Sequence, residues 1–145
     1  MMPPTTDSFF DKQEIEQILK QTDDLELESY RIPKIHNQLN VIYAEIGKKL
    51  NQLNRKHDKL LKEKWLYYSG KASNEVYKDN PFPMKILKTD LHLFLDADDE
   101  LSEFKLHIEN LRCDQKFIEE CLKQLNQRNF QHKIIMEDRK FKSGN

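Results

Sequence analysis

Residues 101–125 read LSEFKLHIENLRCDQKFIEECLKQL. Within them Leu101, Phe104, Ile108, Leu111, Gln115, Ile118, Leu122 and Leu125 follow one another at intervals of 3, 4, 3, 4, 3, 4 and 3 residues. That is an unbroken heptad with one polar position, and a helix of about 3.6 residues per turn puts all of it on one face. Gln115 is the position in the seam suited to setting register or oligomer number. Asp98, Asp99 and Glu100 complement the positive end of such a helix, and Arg128 its negative end. The carboxylate group Asp96, Asp98, Asp99 and Glu100 therefore reads as a helix cap rather than a cation site.

A second seam precedes the first. Ile35, Leu39, Ile42, Ile46, Leu50, Leu53, His57 and Leu60 are spaced 4, 3, 4, 4, 3, 4 and 3, a slightly irregular heptad. Pro33, favourable in a first helical turn, predicts the start of this helix, and Gly70 its stop. Two long helices with apolar seams make the expected fold all-α, a helical hairpin. Around them the sequence predicts a loose tail and short N-terminal helix within 1–22, with Ser8 to Asp11 at capping-box spacing. It predicts a long basic helix over 33–69, a turn-rich loop over 70–83, and C-terminal helices within 89–141. A break is expected near Arg128-Asn129-Phe130. All of this fits a single helical domain of 145 residues.

Composition favours extended helices over a compact globule: 34% of residues are charged, 37% hydrophobic, and only 3 are glycine. Apolar seams on extended helices need partners, so self-association is expected, and Leu101, Phe104, Ile108, Leu111, Ile118, Leu122 and Leu125 are the candidate oligomer contacts. The formal net charge of −1 conceals segregation. Residues 1–30 carry 2 Lys/Arg against 8 Asp/Glu, and residues 90–120 carry 3 against 10. Residues 47–71 carry 8 against 2, and residues 121–145 carry 6 against 2. Basic patches of this kind suit an anionic polymer or the acidic segments of a neighbour.

The densest patch, residues 55–71, holds six Lys/Arg and the three aromatics Trp65, Tyr67 and Tyr68. Phosphates need cations and unstacked bases need flat π-faces, a pairing that suits single-stranded nucleic acid. On a helical wheel Lys48, Arg55, Lys59 and Lys62 form one stripe, flanked by Lys49 and Lys56. Lys64 leaves the stripe, about 200° from Lys62, and continues the seam line Leu53, His57, Leu60. The candidate nucleic-acid contacts are Lys48, Arg55, Lys56, Lys59, Lys62, Lys64, Trp65, Tyr67, Tyr68 and Lys71. The competing reading is a solvated face with aromatics that pack, Tyr68 first. The C-terminal cations Arg128, Lys133, Arg139, Lys140 and Lys142 either extend the same path or meet a neighbour's acids.

Chemistry of other kinds finds no foothold. The sequence holds no phosphate-cradling glycine loop, no nucleophile beside a base and no metal-ligand spacing, so no enzyme, cofactor or metal is expected. Cys113 and Cys121 lie eight residues apart on one helix, about 12 Å along its axis, too far to bridge. No apolar run is long enough to span a bilayer, and no secretory signal is expected.

The run Leu61-Lys62-Glu63-Lys64-Trp65-Leu66-Tyr67-Tyr68-Ser69-Gly70 resembles the basic-helix-then-YYSG segment of the UvsY family of phage recombination mediators. Asn126-Gln127-Arg128-Asn129-Phe130, His132-Lys133-Ile134 and Phe141-Lys142-Ser143-Gly144 are similar to that family's ending, and the resemblance covers residues 23–145. It implies a non-enzymatic helical protein that assembles as a homo-oligomeric ring, a hexamer or heptamer, in the cytoplasm of an infected bacterial host. It implies binding to single-stranded DNA, contact with the phage single-strand-binding protein, and loading of a RecA-like recombinase onto coated strands. Lys62 and Lys64 match the family's DNA-binding cation pair, with Lys64 in place of an arginine. Trp65 stands where the family has an aliphatic residue. The alternative is a coiled-coil structural or adaptor protein with no nucleic-acid role.

Overall fold

The computed structural model describes residues 10–144. The expected tail over 1–7 and the Ser8 cap lie outside them. Among the described residues every regular element is a helix: α1 (Lys12–Leu19), α2 (Leu25–Tyr68), α3 (Asn74–Asp79), α4 (Leu91–Asp96) and α5 (Asp99–Lys142). No described helix is long and apolar enough to cross a membrane. The all-α expectation holds, with changed boundaries. The chain divides into two compact units, one over 49–112 and one in which the described residues 10–48 and 113–144 come together.

In the unit formed by 10–48 and 113–144, Asp11 caps α1 by accepting from the Gln13 N–H at 2.9 Å. Asp24 caps α2 in the same way, accepting from the Glu26 and Leu27 N–H groups at 3.1 and 3.2 Å. The helix therefore begins eight residues before Pro33, which sits inside it with its ring exposed. Two things outweigh the proline: the Asp24 cap and the backward extension of the seam through Glu28 and Ile32, both buried. The core of this unit is Ile15, Ile32, Ile35, Leu39 and Ile46 with Ile118, Cys121 and Leu125. Gly47 allows α5 to come close: a Cβ there would lie 3.4 Å from Gln115 Nε2.

A buried ion pair ties the unit together. Arg128 donates to Glu28 Oε2 at 2.7 Å and to the Leu19 carbonyl at 2.6 Å. Arg31 donates to Glu28 Oε1 and to the Ile18 and Lys20 carbonyls at the end of α1. Burial would raise the Glu28 pKa, but the Thr22 N–H, Arg128 and Arg31 outweigh it and hold the carboxyl below its ordinary range. This network corrects the expected break at 128–130: α5 continues without interruption to Lys142. Its span contains neither glycine nor proline, and Arg128 is held on both sides.

In the unit of 49–112, α2 ends in the expected left-handed turn. Gly70 has φ +78°, and the bonds Lys71 N–H to Leu66 O (2.9 Å) and Gly70 N–H to Tyr67 O (3.3 Å) close a Schellman motif. The expected loop 70–83 contains α3, and α4 falls within the stretch 89–141 where the sequence predicts the C-terminal helices. Asp98 caps α5, accepting from the Leu101 N–H at 3.0 Å. The core is Leu50, Leu53, Leu60, Leu91, Leu101, Phe104, Ile108 and Leu111. In each unit the stretches of α2 and α5 are antiparallel: Glu28 meets Arg128 and Gly47 meets Gln115 in one, and Lys64 meets Asp98 while Lys49 lies near His107 in the other.

Candidate nucleic-acid interface

The stretch 49–68 of α2 has two chemically distinct sides. Its seam positions Leu50, Leu53 and Leu60 are buried, which turns Arg55, Lys56, Lys59 and Lys62 outward, and all four are exposed. Among the described residues no ion pair engages any of them, although Asp58 and Glu63 share the stretch. Unpaired ammonium and guanidinium groups at helical spacing are what a phosphate backbone needs. Lys48 is also exposed, but it belongs to the other unit.

Lys64 faces the other way. Its ammonium lies 3.1 Å from Asp98 Oδ2 and 3.4 Å from Glu100 Oε1. Burial pulls its pKa down, but the bonds and charge of Asp98, with Glu100, outweigh that and hold it above the ordinary lysine value. Asp98 is buried, and burial would raise its pKa. Hydrogen bonds from the Tyr68 hydroxyl, the Leu101 N–H and Lys64 hold it below the carboxylate range instead. The sequence expects Lys64 to contact phosphate; in the structure its ammonium is engaged by two carboxylates at the start of α5, on the side its wheel position marks.

Tyr67 and Tyr68 are likewise committed. They sit in a cluster with Tyr77, Phe82 and Phe94, with ring centroids 5.1 to 5.9 Å apart. Tyr77 is locked by donating to the Tyr67 carbonyl at 2.8 Å and accepting from the Ala72 N–H at 3.2 Å. Tyr68 donates to Asp98 at 2.6 Å; burial first, then that carboxylate, push its phenol well above the ordinary value. A cleft of about 650 Å³ opens beside Lys64, Tyr67 and Val76, and Trp65 does not line it. Trp65 stays 39% exposed, with the Lys71 ammonium 5.0 Å from its ring centroid.

The candidate oligomer seam is largely covered within the chain itself. Leu101, Phe104, Ile108, Leu111, Ile118 and Leu125 are buried within the chain's own units, and Leu122 is half-buried. The six buried side chains are already removed from water and have little apolar area left to offer a neighbour. Sequence reasoning missed the acidic partner of Lys64 and the rings at 77, 82 and 94. The one available signal was the run of aromatics through the turn-rich segment.

Residues 5–145 match the family described as "Recombination, repair and ssDNA binding protein UvsY". The chain belongs to the UvsY family. Its fold matches two crystal structures of the bacteriophage T4 recombination mediator protein UvsY. Lattice type II aligns with a TM-score of 0.80 at 18% identity, covering 91% of this chain and 94% of that one. Lattice type IV aligns at 0.79 and 18%, covering 90% and 95%. No curated protein matches the chain by sequence. The resemblance read from the LKEKWLYYSG segment and the C-terminal blocks is thus borne out, and the match extends over residues 5–145. At this identity the solved structures speak for the fold, and the family for a recombination, repair and single-strand-binding role.

Proposed function

We propose that this chain is a non-catalytic recombination mediator. It binds single-stranded DNA and helps load a RecA-like phage recombinase onto strands coated by the phage single-strand-binding protein, in the cytoplasm of the infected cell. The observation that carries this reading is the row of exposed, unpaired cations Arg55, Lys56, Lys59 and Lys62 on α2 of a UvsY-family chain. Each phosphate such a row neutralises releases condensed counterions, so affinity falls steeply with salt.

Mediation follows from linkage. A mediator need only bind strand and partner proteins better in the arrangement that nucleates the recombinase than in the one that blocks it. A homo-oligomeric ring, a hexamer or heptamer, multiplies a modest patch by avidity. With the heptad seams buried, the exposed apolar side chains Phe130, Ile134, Ile135 and Met136 of α5 are the surface such an assembly would cover. The test combines binding of a labelled single strand over a salt series, duplex competition, light scattering for subunit number, and recombinase loading on coated strands. Salt-sensitive binding and faster loading are expected. A well-folded protein that binds no strand at low salt would leave the adaptor reading in its place.

A further inference from the structure

Of the three aromatics that close α2, Trp65 alone keeps an open ring. The faces and edges of Tyr67 and Tyr68 are taken by Tyr77, Phe82 and Phe94. Trp65 has no ring partner among the described residues and is 39% exposed. Two cations lie beside it. Lys62 sits three residues earlier, on an adjoining part of the helix surface. Lys71 arrives from beyond the helix end, its ammonium 5.0 Å from the ring centroid. The turn at Gly70 makes this possible: its φ of +78° folds the chain back, and the Lys71 N–H to Leu66 O bond fixes the Lys71 backbone beside the helix.

We propose that Trp65 and Lys71 form a base-stacking step that lets the site distinguish single strands from duplex. This rests on the single-strand reading above. A strand tracking Arg55, Lys59 and Lys62 meets Trp65 next. An unstacked base takes the ring, displaces the Lys71 ammonium from it, and the freed ammonium binds the adjoining phosphate. The exchange is favourable because a base on an aromatic ring is held more strongly than an exposed cation over one, and the cation gains a phosphate. Duplex bases are already stacked, so duplex gains only the phosphate contacts. The basic stripe supplies affinity for any polyanion; Trp65 supplies the preference.

Trp65 is the chain's single tryptophan, so its fluorescence reports on this step alone. Full-length protein is titrated with an oligothymidylate and with a hairpin duplex. Saturable quenching by the oligothymidylate but not the duplex is expected. Trp65→Leu should weaken single-strand binding about five-fold or more and leave the duplex affinity and salt slope unchanged. Trp65→Phe should recover most of the loss, which separates stacking from folding. Lys71→Ala should lower the single-strand salt slope by about 0.7. Salt-sensitive binding with unmoved tryptophan emission, or wild-type preference in Trp65→Leu, overturns this inference and leaves the mediator reading standing. Absence of salt-sensitive binding by the wild type overturns both.

Discussion

The Tyr68 hydroxyl donates a 2.6 Å hydrogen bond to Oδ2 of Asp98, the same oxygen that lies 3.1 Å from the Lys64 ammonium. With the Leu101 N–H on the other oxygen, one buried carboxylate joins the end of α2, the aromatic cluster and the start of α5. Asp98→Asn keeps the shape and a good helix cap but leaves Lys64 without its main counter-charge. The expected loss is about 1–3 kcal/mol, read by urea unfolding.

Lys64 then behaves differently from Lys59 and Lys62. Lys64→Met should lower the unfolding midpoint while leaving the salt slope of single-strand binding as it was, because its charge is spent on Asp98 and Glu100. A slope reduced by about 0.7 would show that Lys64 releases its carboxylates and takes up a phosphate.

Arg128 should matter for stability and not for binding. It is 12% exposed, and its guanidinium bridges Glu28 and the Leu19 carbonyl. Removing one partner of a buried pair strands the other, so Arg128→Ala should cost about 3 kcal/mol. Arg128→Lys should also destabilise, because one ammonium cannot reproduce the two-pronged bond. Urea unfolding measures both.

Acid should weaken the fold in two steps. Burial, followed by the charge of Lys49, holds the His107 pKa below its ordinary 6.5. The unfolded chain takes that proton first, so stability falls as pH drops below about 6.5. Asp98 and Glu28 are held below their ordinary values of 3.8 and 4.5. Their contribution is full above those values and is lost as pH falls through the lower, folded ones. Unfolding free energy over a pH series should show both limbs, with His107→Gln flattening the upper and Glu28→Gln the lower.

Much of this was legible in the sequence because it depends on periodicity. The seam from Leu101 to Leu125 and the stop at Gly70 report on local geometry, and both appear in the structure. What escaped depends on pairing across the chain. Pro33 marks a first turn only if nothing upstream outweighs it, and Asp24 with the buried Glu28 does. Nothing near Arg128 announces that Glu28, 100 residues away, will hold it in a continuous α5. The site divides the same way. The outward stripe follows from the wheel, whereas the inward turn of Lys64 toward Asp98 and the covering of Tyr67 by Phe82 are long-range facts.

The most direct test of the account is the slope of log affinity against log salt for single-stranded DNA, measured for the wild type and for Lys59→Ala with Lys62→Ala. The stripe predicts tight, salt-sensitive binding by the wild type and a slope shallower by about 1.4 in the double variant, two phosphate contacts fewer. Equal slopes in two well-folded proteins would contradict it.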